Sequence, residues 1–185
     1  MNKKLIIATF AVALIGLGGL FYISSRNDSS QAFLEHYKLA DMNTVQLIDY
    51  LDGSDVKPEG LNAQITASKL ILKDTQETVT LDISDELFYL SFAPYNDITH
   101  PCTDHVPTGC QGELVNRDFE VIVKDTLGTE LFSGRVTTAK NGFAGIWLPR
   151  NTEGTITVTH YGQIATANIS TFASDPTCLT TLHLS

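Results

Sequence analysis

The chain has 185 residues, 43% hydrophobic and 18% charged, which fits one globular domain with at most a small appendage. Its net charge is −9, and residues 1–26 hold Lys3, Lys4 and Arg26 but no acid, so the remainder sets 21 acidic side chains against 9 basic ones. That surplus argues against nucleic acid or an anionic lipid surface as the main partner.

Met1 to Lys4 is a short basic segment, followed by an uncharged apolar run from Leu5 to Ile23 and a polar stretch from Ser24 to Ser30. This is the layout of a secretory signal peptide, and the run is also just long enough to anchor the chain in a membrane as a helix. No clean cleavage site follows Ile23, so residues 1–26 read as either a signal peptide or an N-terminal anchor in the inner membrane. The basic flank keeps the N-terminus in the cytoplasm. Both readings put the rest in the periplasm or another extracytoplasmic space, where disulfides persist.

Residues 27–62 read as a helical segment. Phe33, Leu34, Tyr37 and Leu39 recur at roughly helical spacing, as do Val45, Leu47, Ile48 and Leu51, with Asn43 as N-cap and Gly53 as a stop. Gly53, Pro58 and Gly60 then mark a linker. From residue 63 to 185 the pattern alternates. Strands are predicted over 64–73, 77–83, 87–93, 118–124, 130–137, 144–148, 154–160, 163–170 and 178–184, several of them separated by turn residues such as Asn141-Gly142. The expected fold is mainly β, an antiparallel sandwich of transthyretin or immunoglobulin type, with a small helical N-terminal segment. Trp147 falls in an apolar strand and is expected in the core.

Residues 94–117 do not alternate, and Pro94, Pro101, Pro107, Gly109 and Gly112 interrupt them. A long irregular loop in a compact domain is usually functional or disordered, and its cysteines argue against disorder. His100, Cys102, His105 and Cys110 crowd into this loop, and Cys178 opens the last strand. Cys178 shares strand parity with Leu182 and Leu184, which turns it inward. His183 has the opposite parity and stays out of the site.

Three cysteines cannot all pair within one chain. One chemistry is a plain disulfide between two of Cys102, Cys110 and Cys178, with the pairing open, in a stapled sandwich that binds another protein and no metal. The other is a soft-metal site, because thiolate and imidazole suit Cu(I) and zinc. No Cys-x-x-Cys pair marks a zinc finger, so outside the cytoplasm the expected metal is copper. Two thiols could also reduce Cu(II) as they close to a disulfide. A thiol–disulfide exchange enzyme is a third reading, weakened by the lack of a Cys-x-x-Cys at a helix N-terminus. No hydrolase elbow, zinc-protease helix or nucleotide loop occurs.

Further residues resemble a known family. Tyr89 to Tyr95 reads Tyr-Leu-Ser-Phe-Ala-Pro-Tyr, and Thr99-His100-Pro101-Cys102 and Cys110-Gln111-Gly112-Glu113-Leu114 follow. Asn141-Gly142-Phe143, Trp147-Leu148-Pro149-Arg150 and Asp175-Pro176-Thr177-Cys178-Leu179-Thr180-Thr181 complete the set. This order, over residues 86–185, resembles the CueP family of periplasmic copper-binding, copper-resistance proteins. The resemblance implies copper held by Cys102, Cys110, Cys178, His100 and His105, thiol-based Cu(II) reduction, and delivery of copper to a periplasmic enzyme. It also implies a homodimer formed through the N-terminal part.

Overall fold

The computed structural model describes residues 29–185. The signal or anchor run, 5–23, lies outside them. Among the described residues no helix is long and apolar enough to cross a membrane. The chain divides into two compact units after Asp41. In the first, residues 29–36 are helical, and Phe33 stacks on Tyr37 with ring centroids 5.0 Å apart. Lys38, at φ 58°, ends the turn, and the Leu39 amide donates back to the Leu34 carbonyl at 2.7 Å.

The second unit opens with the helix Thr44–Gly53. Asn43 caps it reciprocally with Gln46: the Asn43 side chain accepts the Gln46 amide at 3.0 Å, and the Gln46 side chain accepts the Asn43 amide at 2.9 Å. Its buried stripe is Leu47, Ile48, Leu51 and Asp52, so a carboxylate sits among aliphatic side chains.

Ten strands follow. β1 (Asn62–Ile65), β2 (Lys69–Lys73) and β3 (Thr78–Asp82) form an antiparallel meander. β4 (Leu87–Phe92) pairs with β7 (Ala144–Pro149) antiparallel and with the short β10 (Cys178–Leu179) in parallel. β5 (Asp118–Asp125), β6 (Glu130–Thr137), β8 (Glu153–His160) and β9 (Gln163–Ser170) make a four-stranded antiparallel sheet in the order β6-β5-β8-β9. Phe88, Leu90, Phe92, Ile146 and Leu148 from one sheet meet Phe119, Val121, Val123, Ile156 and Val158 from the other in a single core. The fold is therefore mainly β and sandwich-like, as expected.

Two predicted strands differ. The stretch 64–73 is two strands, because Thr66 and Lys69 close a turn: the Thr66 amide donates to the Lys69 carbonyl at 2.9 Å and the Lys69 amide to Thr66 Oγ1 at 3.1 Å. The stretch 178–184 pairs as a strand only at Cys178 and Leu179. Beyond them the chain is tied to Tyr95, whose amide donates to Leu182 and whose carbonyl accepts the Leu184 amide. The inward parity survives without the strand: Cys178, Leu182 and Leu184 are buried, while His183 is exposed and its Nε2 lies 3.0 Å from the Asn96 carbonyl.

Because β4 is covered on both sides, its second face matters. Tyr89 and Ser91 point away from the core and lie opposite Trp147 and Gly145 on β7. Trp147 thus belongs to the outer face, half-buried, where its indole N–H donates to Asp49 on the helix at 2.8 Å. Gly145 is required here, since a Cβ at that position would sit 1.7 Å from the Tyr89 hydroxyl.

Candidate metal centre

The irregular loop 94–117 is ordered by its polar contacts. One carboxylate oxygen of Glu113 accepts the amides of Asn96, Asp97 and Ile98 at 2.9, 3.0 and 3.0 Å, and these bonds hold the Glu113 pKa below its ordinary value. The Ile65 amide donates to the His105 carbonyl at 2.8 Å, and the His105 amide to Thr177 Oγ1 at 3.0 Å. The Cys178 amide donates to the Thr103 carbonyl at 3.1 Å. At the far end Gly112 passes against Gly142, its amide donating to the Asn141 carbonyl at 2.6 Å. A Cβ on Gly142 would lie 2.3 Å from the Gly112 carbonyl oxygen, so only glycine permits this crossing.

These contacts bring all five expected ligands together. His100, Cys102 and Cys110 form one group and His105, Cys110 and Cys178 another, with the donor atoms in each within 4.8 Å of one another. Cys110 belongs to both. Cys102 and Cys178 are joined as a disulfide, Cα to Cα 5.6 Å, and Cys110 is the free thiol, its Sγ 3.6 Å from that of Cys102. The cysteines pack with Ala93 and Phe143, and the Phe143 ring lies 4.7 Å from that of His105 and 6.1 Å from that of His100. His160 is not in the site; it contacts the Asp118 carbonyl.

The sequence reasoning missed the groups behind His105. The His105 ring is fully buried, with Nε2 2.7 Å from Asp52 Oδ1 and Nδ1 3.9 Å from Cys178 Sγ. Asp52 Oδ1 also accepts the Asn141 side-chain amide at 3.2 Å, and its Oδ2 accepts the Tyr89 and Ser91 hydroxyls at 2.7 and 3.0 Å. A signal existed: Asp52 follows Leu51 and lies four residues from Ile48 on the apolar stripe, where an acid has no reason to be unless paired.

The electrostatics follow. Burial opposes charge on His105, but the hydrogen bond and charge of Asp52, with help from Cys110, lift its pKa to about 9. Burial alone would raise Asp52; the His105 bond and charge, with Tyr89 and Asn141, hold it well below the usual carboxylate range instead. Burial also works against the Cys110 thiolate, yet His105 and the Val106 amide lower its pKa. An imidazolium beside a thiolate-prone sulfur is a reactive pair. Its donors are soft or borderline, and a metal would displace protons from them.

A sandwich that gathers sulfur and imidazole from the loop and from β10, with a buried carboxylate bonded to one imidazole, presents the donor types of an extracytoplasmic soft-metal binder. Residues 45–183 match the family model described as periplasmic copper-binding protein CueP. The chain belongs to the CueP family. A crystal structure of S.CueP is similar to it, with 42% identity and a TM-score of 0.79, over 83% of this chain and 97% of that one. No curated protein matches the chain. Copper is therefore its metal and the location extracytoplasmic, which decides against the metal-free module; the disulfide which that reading required is nevertheless part of the same site.

Proposed function

We propose that Cys102, Cys110, Cys178, His100 and His105 bind copper and reduce it. The observation that carries this reading is the pair of donor groups that share Cys110. In the reduced protein, His100 and His105 with the Cys110 thiolate capture Cu(II). Cys102 and Cys178 then each give one electron and release one proton, closing their disulfide as two Cu(II) become two Cu(I). The disulfide between those two cysteines, with Cys110 left free, supports this division of labour. In that scheme Cys110 and the imidazoles retain a Cu(I) ion after the electrons have moved. When all three thiols are reduced they form the tighter Cu(I) site.

Titration of the reduced protein with Cu(I) against a chelating indicator tests the binding. Strong competition by wild type and its loss in a Cys102→Ser, Cys110→Ser variant are expected. No competition by wild type, or an unchanged affinity in the variant, refutes the reading. Mixing reduced protein with Cu(II) should yield two Cu(I) for each disulfide formed. By kinship with the family, the chain pairs through residues 27–62 and passes Cu(I) to an extracytoplasmic copper enzyme. Sedimentation and metal transfer to such an enzyme in its apo form test these two steps.

A further inference from the structure

We infer that Asp52 is a positioning residue for the copper site: through its bond to His105 Nε2 it aims His105 Nδ1 at the sulfur cluster and ties the ligand loop to the sandwich. The inference rests on the copper reading above.

Asp52 lies on the helix Thr44–Gly53, far in sequence from every expected ligand, and is 3% exposed. Its neighbours on the buried stripe are leucine and isoleucine. A carboxylate in that place costs desolvation unless each oxygen is supplied with donors. The donors come from three other parts of the chain: Tyr89 and Ser91 from β4, Asn141 from the β6–β7 turn, and His105 from the 94–117 loop. Tyr89 reaches it only because Gly145 leaves room for the hydroxyl. Three of these bonds lock the carboxylate to the scaffold. The fourth transmits that fixed position into the site.

An imidazole has two nitrogens, and a bond at one decides which the other must face. With Nε2 2.7 Å from Asp52, the lone pair available to a metal is on Nδ1, the nitrogen 3.9 Å from Cys178 Sγ. Rotation of the ring would break the Asp52 bond and is also resisted by the Phe143 ring packed 4.7 Å away. A metal-bound histidine is usually oriented by such a carboxylate, and its loss typically weakens the metal about 10–100-fold.

Asp52→Asn and Asp52→Ala in the full chain, reduced and titrated with Cu(I), test the role. The asparagine can keep the geometry: its carbonyl accepts from His105 and Asn141, and its amide donates to the hydroxyls of Tyr89 and Ser91. We expect it to fold, retain Nδ1 ligation and lose about tenfold in affinity; the alanine should lose closer to a hundredfold. Nitrogen-15 spectra of the His105 ring supply a readout that simple destabilisation does not move. Wild type with Cu(I) should show a metal-bound Nδ1 and a protonated Nε2, and Asp52→Ala should lose that pattern. Wild-type affinity in Asp52→Asn, or an unchanged Nδ1 signature in Asp52→Ala, overturns the inference. Wild type that fails to bind Cu(I) instead refutes the copper site itself, so the two failures are distinct.

Discussion

The Sγ of Cys102 is bonded to Cys178 and stands 3.6 Å from the Sγ of Cys110, so one sulfur has two partners within reach. The oxidised protein should therefore show one alkylatable thiol, at Cys110. Removing Cys178 should redirect the bond: in Cys178→Ser, air oxidation should join Cys102 to Cys110. Peptide mapping after alkylation reads this directly, and two labelled thiols in that variant would contradict it.

Reduction should loosen the fold as well as arm the site. The Cys102–Cys178 bridge spans 76 residues, and closing a loop of that length stabilises by about 4 kcal/mol in the chain-entropy picture. The denaturation midpoint of the metal-free protein should fall on adding reductant and recover when Cu(I) is supplied, because a ligand that binds only the folded state stabilises it. Identical midpoints with and without reductant would mean the bridge constrains little.

The buried Asp52–His105 pair gives a pH dependence with a definite sign. His105 is raised from 6.5 to about 9, so its contribution is complete below 6.5 and fades as pH climbs through 9. Asp52 is lowered from 3.8, so its contribution is complete above 3.8 and fades as pH falls toward its folded value. Wild type should exceed His105→Gln in stability most between pH 3.8 and 6.5, and the gap should narrow toward pH 9. Urea denaturation of the two proteins across pH 3 to 10 measures it. A gap that widens above pH 6.5 would reverse the assignment.

Gly145→Ala should be costly although Gly145 is no ligand. The new Cβ would occupy the place of the Tyr89 hydroxyl and push it off Asp52. Overpacking of this kind costs about 1–3 kcal/mol. Thermal unfolding reads the loss. In Gly145→Ala, Tyr89→Phe little stability should return, because the Cβ also meets ring carbons Cζ and Cε2 at 2.2 and 2.8 Å, which phenylalanine keeps.

Much of this could be read from residue order, and the failures have physical causes. β6 and β9 match the predicted 130–137 and 163–170, because turn residues punctuate both. The Asn43 cap was also legible, since capping is local. The break at Thr66–Ser68 was not, because that turn contains neither glycine nor proline and is closed by a threonine hydroxyl. The gathering of His100, Cys102, His105, Cys110 and Cys178 was legible from residue type and crowding. The pairing was not, because it depends on β10 lying parallel to β4 with Cys178 opposite Ser91, a long-range register. Asp52 escaped because its meaning lies in four partners, from Tyr89 to Asn141, which only the fold assembles.

The parallel docking of β10 on β4 also fixes a timetable. Cys178 reaches Cys102 across 76 residues, and His105 reaches Asp52 across 53. Contacts of such span carry the entropy cost of closing long loops, which slows their formation. A chain still emerging from the ribosome, or threaded unfolded through a membrane, has the donors but not their grouping with Cys178. Cys178 joins His105 and Cys110 only once the final residues have been laid against the sheet, so the full donor set is a product of folding.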